Sequence, residues 1–98
     1  MRLGTTPTFE FEIPLEAKVV TRAKITFRQN RTIIVEKKDE CVIGEKKISV
    51  DLTQEETFLF DPRYKADVQL RVVTPEGEVL ATDVHTIDVL ECLDREVL

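Results

Sequence analysis

Tryptophan is absent from this chain, serine and histidine occur once each, and there are only three glycines and two cysteines. Each shortage removes a class of chemistry. The one serine, Ser49, sits between Ile48 and Val50, without the glycine-bounded elbow that presents a nucleophilic serine. The one histidine, His85, lies far from it in sequence, so a Ser–His or Cys–His pair has almost no material to draw on, and no catalytic residue is expected. With no C-x-x-C spacing a zinc site is not expected either. The clustered aspartates of a calcium loop are missing, Asp39-Glu40 being too small a group, and the glycines form no phosphate-binding loop. Neither a metal nor a cofactor is therefore expected. No window is apolar over the length of a membrane span, and Met1-Arg2-Leu3-Gly4-Thr5-Thr6-Pro7 lacks the apolar run of a signal peptide. The expectation is a protein that resides in the cytoplasm at synthesis and does not enter a membrane.

What is present points to one soluble domain spanning 1–98. Ninety-eight residues suffice to bury roughly 65% of the unfolded surface around a single core. Charged residues make up 34% of the chain and the net charge is −5, which disfavours nonspecific attraction to nucleic acid or anionic lipid.

Alternation of apolar and polar residues dominates the chain, and it predicts β-strands. Phe9, Phe11 and Ile13 share one face of a strand and Glu10 and Glu12 the other, up to Pro14. From Lys18 to Gln29, Val19, Ala23, Ile25 and Phe27 turn inward, and Arg22, Lys24, Thr26 and Arg28 outward. Asn30 tolerates a left-handed backbone and marks a hairpin into the β-branched run Thr32 to Lys37. A polar loop at Lys38-Asp39-Glu40, a short strand at Cys41-Val42-Ile43 and a stop at Gly44-Glu45 follow. Ile48, Val50 and Leu52 then alternate inward, as do Val68, Leu70 and Val72. Thr74-Pro75-Glu76-Gly77 is a turn, proline setting its first central position and glycine the positive φ after it. The last strand changes parity between Leu80, Thr82, Val84 and Ile87, Val89, which predicts a bulge or break near His85 that re-aims the strand between sheets. A tail from Cys92, docked by its leucines, completes the chain.

One stretch breaks the strand pattern. In Leu52-Thr53-Gln54-Glu55-Glu56-Thr57-Phe58-Leu59-Phe60, Thr53 and Glu56 have the spacing of a capping box, and Asp61-Pro62 ends any helix within about two turns. A short helical crossover is expected, its Leu52, Phe58 and Phe60 plugging one end of the core. About seven strands, frequent turns and one crossover fit an all-β, immunoglobulin-like antiparallel β-sandwich. Tyr64 sits where such domains place a tyrosine corner, although the tryptophan and cysteine spacing of antibody domains are missing.

Charge is unevenly distributed. Lys18, Arg22, Lys24, Arg28, Arg31, Lys37 and Lys38 crowd one segment against Glu36 alone, whereas Pro75 to Leu98 holds seven acidic residues against Arg95. Arg22, Lys24 and Arg28 share strand parity and form a row. The row is either a solvated face that keeps sheet edges from aggregating or a surface for an acidic protein partner, another copy of the chain included. Nucleic acid is a poorer fit, because the row is short and no exposed aromatics interleave it. A small-ligand or glycan-binding sandwich is the alternative function, but such sites usually expose aromatics, and here most phenylalanines have core parity. Carboxylates such as Glu10 and Glu12 sit on an outward strand face and lack a cleft in which one pKa would rise. Cys41 and Cys92 are either reduced, as small hydrophobes in a reducing compartment, or paired across a loop worth on the order of 4 kcal/mol.

Several stretches together resemble a known group. They are Met1 to Pro7 running into an alternating strand, Ile25-Thr26-Phe27-Arg28-Gln29-Asn30 with Ile33 to Lys37, Ser49 to Thr57, and Cys92-Leu93-Asp94. The combination resembles short proteins encoded among the tail genes of prophage structural modules in Gram-positive bacteria. The resemblance implies a small non-enzymatic sandwich domain, a tail or baseplate accessory associated with the virion and partnered by other protein subunits. It assigns no activity and carries over no functional residue.

Overall fold

Residues that alternate every second position do form strands, in two antiparallel sheets that share one core. A computed structural model describes residues 1–13, 20–39, 42–44 and 46–98. Pro14, Lys18, Val19, Glu40, Cys41 and Glu45, and with Cys41 the question of a disulfide, lie outside the described residues. The strands are β1 (Thr8–Glu12), β2 (Arg22–Gln29), β3 (Thr32–Lys38), β4 (Val42–Gly44), β5 (Lys47–Asp51), β6 (Ala66–Val73), β7 (Val79–Ala81) and β8 (His85–Ile87), with one helix, α1 (Gln54–Thr57), between β5 and β6. One sheet runs β1-β5-β4 and the other β3-β2-β6-β7, with β8 also on β6. These orders match the B-E-D and C′-C-F-G sheets of a variable-type immunoglobulin sandwich. Counting β7 and β8 as one broken edge strand, the described residues form seven strands.

The core is the set of inward residues. Ile25, Phe27, Ile48, Leu52, Ala66 and Leu70 are all essentially inaccessible, and Phe11, Ile13, Ala23, Val35, Val50, Val68 and Val72 close around them. Phe27 sits at the centre of an aromatic trio, edge-on to Phe9 at 5.1 Å and to Phe60 at 5.9 Å between centroids. It supplies the bulk that a tryptophan supplies in antibody domains. Val20 is also buried, although the extrapolated parity favours its neighbour Val19.

Local signals explain the connections. Asn30 and Arg31 both take positive φ, 46° and 66°, the geometry of a tight two-residue hairpin between β2 and β3. The β2–β3 register slips by one between Phe27 and Arg28, so Ile34 is the extra residue of a bulge. At Gly77, φ is 85° and its N–H donates to the Thr74 carbonyl, closing the β6–β7 turn as expected. The capping box also forms: the Thr53 hydroxyl accepts from Glu56 N–H, and the Glu56 carboxylate accepts from Thr53 N–H. Such a cap contributes about 1 kcal/mol. The helix is a single turn, and Leu52 and Phe60 bracket it in the core with Phe58 partly buried beside them.

Three details differ from the sequence reading, and a fourth lies outside it. The parity change after Thr82 is a bulge, but it does not move the strand to the other sheet. Arg71 pairs with Ala81 and Val68 with His85, so β7 and β8 both stay on β6 with the register offset by one. Thr82 makes this possible: its hydroxyl accepts from Leu70 N–H while its own N–H donates to the Leu70 carbonyl. Tyr64 is 43% exposed, and its carbonyl, accepting from Gln29 Nε2, is what ties it to the sheet. The tail is docked by polar groups rather than leucines. Gln54 exchanges two hydrogen bonds with the Leu98 backbone and Arg95 lies over the Phe58 ring, while the Leu93 and Leu98 side chains face solvent. Finally, Leu3 of the N-terminal segment is fully buried, held by a parallel bridge in which Leu3 N–H donates to Leu90 and Leu90 N–H to Met1.

A candidate protein-docking face

Outward positions on β3, β2 and β6 form one face of the larger sheet, and Arg22, Lys24 and Arg28 all lie on it. The antiparallel register decides their neighbours, because directly paired residues point to the same side. Arg22 bonds Asp39 through two guanidinium nitrogens, Lys24 pairs with Glu36 at 3.2 Å, and Arg28 pairs with Asp67 at 3.0 Å. The three residues are therefore brought onto one face, as their parity predicts, but each is matched by a carboxylate from a neighbouring strand or loop. Exposed pairs of this kind contribute little to stability, because water screens them.

The excess positive charge lies elsewhere on the same face. Lys24 is the direct cross-strand partner of Lys38 on β3 and of Arg71 on β6. Three cations thus stand in register across three strands, and neither Lys38 nor Arg71 is in an ion pair among the described residues. Like charges directly opposite destabilise a sheet by several tenths of a kcal/mol per pair. Folding alone gains nothing from the arrangement. Arg22, Lys24, Lys38 and Arg71 line a depression of about 220 Å³ together with Asp39, Ala23, Val73 and Val79. A second depression of about 150 Å³ lies further along the face, between Ile33 and Val84, with the Arg28–Asp67 pair in its wall. Ile33, Val79 and Val84 are each at least half exposed. Alternation within one strand could expose only the β2 row. Lys38 and Arg71 join it through pairing with strands distant in sequence.

Carboxylates on and near this face are held ionised by their partners. Hydrogen bonds from Arg22, Arg63 and Arg28 hold Asp39, Asp61 and Asp67 below the ordinary aspartate value. For Glu56 burial pushes the carboxyl up, but the Lys37 ammonium at 2.7 Å and the hydrogen bonds from Thr53 outweigh it, and the net direction is down. A folded pKa below the unfolded one stabilises the protein above the unfolded pKa, and that contribution is lost as pH falls through the folded value. Urea midpoints are therefore expected to hold steady from pH 7 down to about 4.5 and to fall below it, and Glu56→Gln should flatten part of that fall. A midpoint that began to drop well above pH 5 would contradict these assignments.

The other sequence candidates are dispersed. Ser49 is on the outer face of β5, whereas His85 is on β8 in the other sheet, its ring tilted against Phe11 at 6.4 Å. Among the described residues no group of three His, Cys, Asp or Glu is placed to hold a metal ion. Cys92 is half-buried, and its thiol donates to the Asp94 carbonyl. No helix among the described residues is long and apolar enough to cross a membrane. The sequence matches no protein-family model and no curated protein.

Proposed function

We propose that the protein is a non-enzymatic interaction domain that docks an acidic surface of a protein partner on the outer face of its five-stranded sheet. The observation that carries this reading is the in-register row Lys38, Lys24 and Arg71, whose like charges stand directly opposite one another and whose two ends enter no ion pair among the described residues. Aliphatic side chains beside the cations, Val79 above all, supply the desolvated contact that a specific interface needs in addition to charge. With the resemblance to prophage tail-region proteins, the partner is best sought among the subunits of a phage tail or baseplate. A second copy offering the exposed Glu91, Asp94 and Glu96 of its tail is the homotypic version.

Light scattering and co-purification with particle proteins, at about 25 mM and about 500 mM salt, test the reading. Complex formation at low salt that is lost at high salt and abolished by Lys38→Glu with Arg71→Glu is the expected result. A chain that stays monomeric and retains no particle protein at low salt removes the proposal.

A further inference from the structure

We infer that the free edge of β1, with the groove beside it, takes up an extended segment of a partner protein in which apolar and basic residues alternate. This surface is separate from the outer face of the five-stranded sheet and does not depend on it. The backbone argument comes first. Leu52 N–H donates to Pro7 and Ile13 N–H donates to Lys46, in the same register that pairs Phe9 with Val50 and Phe11 with Ile48. Odd-numbered residues of β1 therefore spend their N–H and C=O groups on β5. By the two-residue period, Thr8, Glu10 and Glu12 direct theirs away from it. Among the described residues no strand lies on that side of β1. The strand carries no bulge, so its outer edge is a straight template for one more strand.

The seam next to this edge is open. It separates β1 from the broken edge strand of the other sheet, where β7 stops at Ala81 and β8 starts only at His85. Two depressions follow one another along it, of about 320 and 260 Å³, sharing Glu12 and Thr82 in their walls. Phe11, Val68 and His85 line the first, and Ile13, Leu70, Val72 and Leu80 line the second. From Phe11 to Ile13 is one strand period, about 6.8 Å, so two alternate side chains of an incoming strand would fill the two depressions in turn.

Charge selects the occupant. Residues of the incoming strand that do not enter the groove fall beside Glu10 and Glu12, neither of which is in an ion pair among the described residues. Lys47 stands opposite Glu12 on β5 but does not come within ion-pair distance. Two copies of β1 laid edge to edge would set glutamate against glutamate, which disfavours self-pairing. A strand bearing Lys or Arg at those positions is attracted. Main-chain hydrogen bonds would then supply affinity and the depressions and glutamates specificity, the division of labour in strand addition.

Fluorescence anisotropy with three labelled nine-residue peptides tests the inference. They are an alternating Val/Lys peptide, a block peptide of the same composition, and an alternating Val/Glu peptide. The alternating Val/Lys peptide is expected to bind at least about tenfold more tightly than either control and to slow hydrogen exchange at the Thr8, Glu10 and Glu12 amides. Glu10→Pro deletes only an N–H that points away from β5 and is expected to weaken this binding about tenfold. Glu10→Lys with Glu12→Lys, which leaves the backbone intact, should switch the preference to the Val/Glu peptide. Equal binding of the block peptide, unchanged preference in the charge-reversed variant, or protection confined to other strands would overturn the inference. Lys38→Glu with Arg71→Glu should leave Val/Lys peptide binding unchanged, which keeps this result distinct from the outcome on the outer face.

Discussion

Phe27→Ala is expected to lower the unfolding free energy by about 3–5 kcal/mol, the usual cost of truncating a fully buried phenylalanine. Phe27 has no exposed surface and holds edge-to-face contacts with Phe9 from the three-stranded sheet and Phe60 from the segment after α1. Truncation therefore leaves a void where both sheets and the crossover meet, and no single neighbour can move in without releasing another. A domain of this size has about 5–15 kcal/mol in total, so the variant should melt on the order of 20 °C lower or fail to fold at 37 °C. Calorimetry or circular dichroism melts decide it. A loss below about 1.5 kcal/mol would mean the trio repacks and is not the centre of the core.

Gln29→Leu should cost nearly as much, for a polar reason. Gln29 is 3% exposed, and its amide nitrogen donates to the carbonyls of Asp61 and Tyr64 while its oxygen accepts from the Asp61 N–H. One side chain at the end of β2 thus satisfies three backbone groups of the corner that launches β6. Leucine has a similar volume but leaves the Asp61 N–H and the Tyr64 carbonyl without partners, and the Asp61 carbonyl with the Tyr64 N–H alone. At about 1–3 kcal/mol per stranded buried group, and with some relaxation toward water, a loss on the order of 3 kcal/mol follows. Hydrogen exchange gives the specific signature: the Asp61 amide should lose its protection while core amides of β2 and β6 change only with global stability. An Asp61 amide that stays protected in Gln29→Leu would show that the corner is held some other way.

These two residues also mark how much of the molecule was readable in advance. Phe27 was legible, because it falls on the inward parity of an uninterrupted alternating run. The same holds for Ile48, Val50 and Leu52, for Val68, Leu70 and Val72, and for the Thr53–Glu56 cap, whose partners are local in sequence. Gln29 was readable only as a polar residue at a turn, since its three partners lie over thirty positions away. The burial of Leu3 had no local signal, because it depends on a bridge to Leu90 at the other end of the chain. A parity change was visible near His85, but neither its place at Thr82 nor its sense was: a hydroxyl standing in for a strand acceptor keeps the chain on β6. The docking row was half visible. Arg22, Lys24 and Arg28 share a strand, whereas the carboxylates that neutralise them and the cations that extend Lys24 sideways arrive from β3, β6 and the loop at Asp39.

By itself the amino-acid order determined which residues turn inward, where the chain reverses and where the helical turn α1 begins, since those depend on side-chain period and on bonds between near neighbours. Only the tertiary structure decided which strand lies beside which. Strand neighbours set which charges cancel, which cations stand in register, and which sheet edge ends, among the described residues, without a partner beside an open seam. Pairing across a sheet joins residues whose sequence separation carries no information about their contact, and the surfaces through which this domain is proposed to act are made of such pairs.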